Sequence, residues 1–206
     1  QLLSRIDELR IPILVQATLD ADASVVPTMV LWESGIYATR PSSELLQERT
    51  EVRYMPRDAV DRWISAVDER VKGSDPELLR RLADVRRRIL VALHEGGVRI
   101  LLGTDSPQIF SVPGFSIHRE MQFYVDAGMS PYDVLSAGTR VVGDYFGENF
   151  GTIAVGEGAD LILVDGNPLA DIKNASRISG VMARGKYVSR EEIEKRLAAI
   201  AASYES

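Results

Sequence analysis

One carboxylate in this chain stands where a buried strand would deliver it into an open mouth. Val98, Ile100, Leu101 and Leu102 form a short apolar run closed by Gly103, and Thr104, Asp105 and Ser106 follow at once. A run of that length bounded by glycine reads as a strand covered on both faces. An acid at its C-terminal end occupies the position where an α/β barrel builds its active site. There a carboxylate can ligate a metal ion or take the proton of a metal-bound water. The chain offers Asp105 few partners, because it holds two histidines, His94 and His118, and no cysteine. Neither histidine lies in a ligand motif. Tyr37, Arg40, Arg53 and Tyr54, in the polar stretch 33–56, are candidate substrate contacts, with ordinary surface residues as the competing reading.

The elements that must position these groups follow from hydrophobic period and punctuation. Ile11-Pro12 opens a helix, with proline tolerated in its first turn. Residues 24–31 are β-branched and apolar enough for a buried strand, which Pro27 would end or bulge. The stretch 33–56 reads as a long loop or lid. Residues 56–71 and 76–95 keep a helical period, the second with Asp75 as its N-cap and Pro76 in first position. Gly96-Gly97 ends it and the Asp105 strand begins, which is the parallel α/β rhythm. Further helices are expected over 116–127 and from Ser130-Pro131 to about Gly147. The text then turns β-rich. Residues 152–164 read as a hairpin turning through Gly156-Glu157-Gly158, with 161–164 a core strand. Residues 178–182 and 186–188 form a second pair, and Ser189 caps a last helix. Residues 2–9 read as a helix end or an apolar loop.

Composition bounds the function. With 45% apolar and 26% charged residues, the 206-residue chain is ordinary for a soluble globular protein. A net charge of −6 argues against a nucleic-acid partner, which needs a basic face. Arg80, Arg81, Arg86, Arg87 and Arg88 alternate with Glu77 and Asp84 and read as a solvated helix face. No apolar run reaches membrane-spanning length. Lack of cysteine removes disulfides and thiolate zinc sites but leaves the compartment open. The chain starts at Gln1 and reads as beginning mid-domain, so cytoplasmic and exported locations both stand.

Several segments resemble one family. Gly103-Thr104-Asp105-Ser106-Pro107 with Gly114-Phe115-Ser116-Ile117-His118-Arg119-Glu120 is similar to the end of the metal-dependent amidohydrolase barrel. Ala127-Gly128-Met129-Ser130-Pro131 and Ala137-Gly138-Thr139 resemble the helix that follows it. Gly151-Thr152-Ile153-Ala154-Val155-Gly156-Glu157-Gly158-Ala159-Asp160-Leu161-Ile162-Leu163-Val164-Asp165, then Asn167-Pro168-Leu169-Ala170-Asp171-Ile172, resemble the returning β-sandwich of the imidazolonepropionase-like and prolidase-like branch. Val25-Val26-Pro27-Thr28 resembles the seventh barrel strand.

The resemblance implies an α/β fold: the C-terminal part of a TIM-like (β/α)8 barrel over 1–150, then strands of a small composite β-sandwich domain with a C-terminal helix over 151–206. It implies one or two divalent ions, zinc the expected metal, with Asp105 as metal ligand and as the proton shuttle between water and leaving nitrogen. The family's His-x-His pair, its bridging residue and its two later histidines have no counterpart here. His118 falls in the family's own segment, where it orients a loop or contacts substrate; Arg53 and Tyr54 remain the substrate contacts expected from the polar stretch 33–56. A complete barrel takes about 250 residues, so the chain is expected to be a C-terminal portion, inactive alone. The partners expected are a dipeptide-like or other small-molecule substrate and either a further copy of the chain or a missing N-terminal half. Two other readings stay open: a non-catalytic binding or assembly subunit, and one half of a split barrel completed by a second polypeptide.

Overall fold

Two short parallel strands are joined by a long helical crossover. The computed structural model describes residues 6–205, so the expectation for 2–5 lies outside the described residues. After α1 (Ile11–Asp20), β1 (Ser24–Val25) pairs in parallel with β2 (Arg99–Ile100), Val25 opposite Ile100. The crossover runs through α2 (Met29–Leu31), a π-helical stretch Trp32–Ile36, α3 (Ser42–Glu48), a 3-10 turn Thr50–Tyr54, α4 (Arg57–Gly73) and α5 (Pro76–Glu95). Beyond β2 come α6 (Ser116–Ala127), α7 (Pro131–Ala137) and α8 (Arg140–Phe146). The antiparallel sheet β3 (Leu161–Val164), β4 (Ile178–Ala183) and β5 (Lys186–Ser189) follows, and α9 (Arg190–Glu205) closes the chain.

The long helices form where the sequence says. Asp75 accepts the amides of Glu77 and Leu78 at 2.9 and 3.4 Å, satisfying two of the free donors at the start of α5. Its apolar stripe then buries Leu90 and Leu93 against Ile100, Tyr124 and Met129. A 3-10 turn, Ile172–Ser176, places Ile172 in the same core and so ties the β-rich part to α6. A second core joins Trp63 and Val67 of α4 to Leu45, Val52, Phe110 and Val112.

Several expectations need correction. The strand expected over 24–31 stops at Val25; Thr28 is left-handed (φ 49°) and Met29–Leu31 are helical. The stretch 33–56 is a set of short helical pieces, because Ala38, Leu45 and Val52 find an apolar face on α4. The helix expected from 131 to about 147 breaks at Thr139 (φ −132°, ψ −97°). Just before the break, the Ala137 carbonyl accepts the Leu102 amide at 3.0 Å. No hairpin forms over 152–164, since Gly158 bonds back to Asn149 and Gly185 to Ala159. β3 pairs with β4 instead, and it is not a core strand: Ile162 and Leu163 are 54% and 61% exposed. Of the α5 arginines, Arg80, Arg81 and Arg88 are exposed as expected, whereas Arg86 and Arg87 are half-buried. Arg86 stacks on Trp32 at 4.0 Å, and Arg87 pairs with Glu33 across the crossover.

Gly143 gives a test with an unusual sign. Exchanging a helical glycine for alanine ordinarily stabilises by about 1 kcal/mol. A Cβ at Gly143 would lie 2.0 Å from the Phe150 carbonyl oxygen, a backbone atom that cannot swing aside. Gly143→Ala is therefore expected to lower stability by about 1–3 kcal/mol, read as a lower urea midpoint; a raised midpoint would show the approach is not tight.

Candidate functional site

The strand expected to deliver Asp105 stops at Ile100, and Asp105 lies in the loop beyond it, whose first residues are locked from three sides. The Leu101 amide bonds to the Val25 carbonyl at 2.9 Å, the Leu102 amide to Ala137, and the Tyr124 hydroxyl donates to the Leu101 carbonyl at 3.2 Å. Gly103 lets the backbone pass close to Val26, since a Cβ there would meet Val26 Cγ1 at 2.6 Å and push it aside. The chain then turns. Asp105 itself is left-handed (φ 56°), a region asparagine and aspartate tolerate better than most residues. Its carboxylate is exposed and accepts one bond from Gln108 Nε2 at 2.8 Å. Thr104, Ser106 and Ser111 form a hydroxyl chain beside it, with Oγ distances of 2.8 and 2.5 Å. Among the described residues, no three His, Asp or Glu side chains gather closely enough to hold a metal ion. Asp105 offers one ligand only, so the described residues do not by themselves fit a metal centre.

The other expected site residues lie elsewhere. His118, in the first turn of α6, is half-buried and lines a cavity of about 560 Å³ that does not include Asp105. Burial lowers its pKa, so the ring is neutral at neutral pH. Tyr54 stacks on Phe115 at 5.2 Å, and Arg53 lies 4.8 Å over the Tyr54 ring and donates to its hydroxyl at 2.6 Å. Both face Leu197, Ala198 and Ala201 of α9. Arg40 is paired with Glu48, while Tyr37 packs on Trp32. His94 sits on α5, 3.6 Å from Asp133. The structure thus separates Asp105, His118 and the Arg53–Tyr54 pair into three places.

Sequence reasoning missed the buried charges. Glu120, on α6, is fully buried and accepts the amides of Met29 and Val30 at 2.7 and 2.6 Å. Burial pushes its pKa up to about 7, against the two amides, which favour the ionised form. Arg49 is 4% exposed and donates to the Phe110 carbonyl at 2.7 Å. Glu51, also buried, is held by Arg119 at 2.7 Å. Only Glu120 had a signal, its place in the Gly114–Glu120 segment; Arg49 and Glu51 sit in a stretch whose polarity suggested exposure.

Comparison with known proteins follows this geometry. Residues 27–188 match the family profile of the amidohydrolase family. The ochratoxinase of Aspergillus niger is 29% identical over 141 residues, covering 66% of this chain and 28% of that protein. Among solved structures, a bottromycin amidohydrolase superposes with TM-score 0.71 at 26% identity, over 88% of this chain and 40% of its own. The A. niger ochratoxinase structure gives 0.51 at 26%, over 85% of this chain and 39% of its own. A Xaa-Pro dipeptidase with bound methionine shares the fold, with TM-score 0.57 at 18% identity, over 85% of this chain and 36% of its own. The chain thus spans less than a third of the curated relatives' length and about 40% of the solved ones. These structural neighbours are prolidase-like and other amidohydrolases.

The Glu120 contact carries a stability and a pH signature. Glu120→Gln keeps one acceptor oxygen for two buried donors, and leaving one unsatisfied costs about 1–3 kcal/mol. The ordinary glutamate value is 4.5 and the folded value about 7. Between them the folded state holds a proton the unfolded chain has lost, so wild-type stability falls as pH rises through that window. Urea melts of Glu120→Gln are expected to lose that slope; an unchanged slope would assign it to another group.

Proposed function

The chain belongs to the amidohydrolase family, and from that premise we propose that it is the C-terminal portion of a hydrolase that cleaves amide or other C–N bonds. Residues 1–150 contribute βα units of a (β/α)8 barrel, and 151–206 contribute strands of an auxiliary β-sandwich. The observation that carries the reading is the Asp105 carboxylate. It stands exposed in the loop that follows the parallel strand β2, on a segment anchored at Leu101 and Leu102, and Gln108 bonds to it. In that place it accepts the proton of the attacking water and returns it to the departing nitrogen, ending as the carboxylate it began. The relatives named ochratoxinase and bottromycin amidohydrolase support the hydrolase class. The substrate is proposed as peptide-like or a cyclic amide. Zinc is the metal proposed for the complete centre, with Asp105 one ligand and the others from outside the described residues.

A second reading rests on the parallel pair. Parallel sheets are ordinarily covered and extended on both sides, whereas β1 and β2 have no other strand beside them among the described residues. Such open edges recruit further strands, supplied by more of the same polypeptide or by a second chain that completes a split barrel.

Asparagine tolerates the left-handed backbone at position 105, so Asp105→Asn removes the charge and keeps the turn. In the full-length protein its turnover of dipeptides and N-acyl amino acids is expected to fall by about 10²–10⁴-fold, with an unchanged melting curve. Retained turnover would remove Asp105 from the chemistry. The 206-residue polypeptide assayed alone is expected to show no turnover, and hydrolysis by it would defeat the need for outside ligands.

A further inference from the structure

The loop between Asp105 and α6 is held in a backbone conformation that its own residues disfavour. Ile109 and Phe110 have φ of 20° and 59°, a region rare for branched and bulky side chains. Such a conformation persists only where its surroundings over-determine it. Here the surroundings are the crossover. Phe110, with no exposure, lies against Trp63 of α4, the ring centroids 5.8 Å apart. Ile109 presses on Gly35 so closely that a Cβ at that glycine would meet the Ile109 Cβ at 3.0 Å. The Phe110 carbonyl accepts a bond from Arg49 Nη1 at 2.7 Å.

Of these contacts, the one from Arg49 is charge-assisted. Burial lowers the Arg49 pKa to about 10, which leaves the side chain cationic at neutral pH. A hydrogen bond from an ionised donor is roughly twice as strong as a neutral one. The Phe110 carbonyl is the one acceptor that this buried side chain has among the described residues. From there the contacts run on to the Asp105 carboxylate. Ser111, the next residue, is buried, and its amide donates to the Gln108 carbonyl at 2.6 Å. Its hydroxyl meets that of Ser106 at 2.5 Å, and the Val112 amide fixes the far end of the loop to Ser116 Oγ at 2.7 Å. Gln108 Nε2 then donates to Asp105 Oδ2 at 2.8 Å.

We propose that Arg49 is a positioning residue for Asp105: it clamps the 106–112 loop from the crossover, and through Ser111 and Gln108 it sets where the carboxylate stands. The inference rests on the hydrolytic reading and adds to it a residue from a distant part of the chain. The stretch 33–56 then serves as the support of the Asp105 loop.

A double-mutant cycle in the full-length protein tests this. Arg49→Met removes the donor and keeps an apolar stem, and Gln108→Leu removes the last link at an exposed position. Each is expected to lower kcat for dipeptides and N-acyl amino acids by about 10–10²-fold, the effect of a misplaced catalytic group, with KM held within about twofold. The double variant is expected to lose no more than the worse single one, because both cut the same chain of contacts. Hydrogen exchange over 106–112 is expected to quicken at least about tenfold in Arg49→Met and to stay unchanged over α5, a pattern that a general loss of stability does not produce. If Arg49→Met does not fold, Arg49→Lys, which keeps a cation without the planar guanidinium, takes its place in the cycle with the same expectations. Losses that multiply in the double variant, a raised KM in place of a lowered kcat, or unchanged exchange over 106–112 would overturn the proposal. Full turnover in these variants beside lost turnover in Asp105→Asn defeats the positioning role alone. Retained turnover in Asp105→Asn defeats the hydrolytic reading and the positioning role together.

Discussion

Two backbone amides, of Met29 and Val30, end on the carboxylate of Glu120, a side chain with no exposure to water. The amides lie at the start of the helical turn after β1, where donors have no partner within the helix. By accepting both, Glu120 ends the strand at Val25 and starts the crossover in a fixed direction. One turn further along α6, Tyr124 reaches the Leu101 carbonyl on the other strand. A single helix therefore grips the ends of both parallel strands by side-chain hydrogen bonds. The position of Asp105 depends on that grip, since Leu101 and Leu102 lead directly to it.

A cost accompanies the arrangement. A buried carboxylate is tolerated only because hydrogen bonds replace its lost water, and here burial, which raises its pKa, outweighs the two amides, which lower it. Arg49 carries the opposite charge under the same constraint, with a single carbonyl as partner. Glu51 and Arg119 solve the problem by pairing with each other. The crossover segment is thus held by buried polar contacts as well as by Leu45 and Val52 against α4. Such contacts favour one arrangement, because breaking them leaves buried donors and charges unmatched.

Local signals carried much of the fold. α5 and α6 are legible to the residue because their apolar stripes, the Asp75 cap and the glycines that follow are all close in sequence. The β4–β5 pair is legible for the same reason, turning at Arg184-Gly185. Residues 26–31 were misread because β-branched residues favour a strand, while the carboxylate that makes them helical lies 91 residues away from Met29. The 152–160 segment was misread because alternation predicts a ladder but not its partner, and the hydrogen bonds there went to Asn149, Arg184 and Gly185.

What the sequence determined by itself is a short parallel strand shortly before Asp105, the helices around it, and the resemblance that the family match bears out. Those depend on contacts between near neighbours and on one short motif. The tertiary structure alone decided that Asp105, His118 and the Arg53–Tyr54 pair stand apart, and that Arg49, His118 and Gln122 share one cavity. Residue type and spacing describe a side chain's chemistry and its face on an element. Which groups meet is settled by packing between elements distant in the chain, where burial turns an ordinary arginine or glutamate into the strongest local constraint.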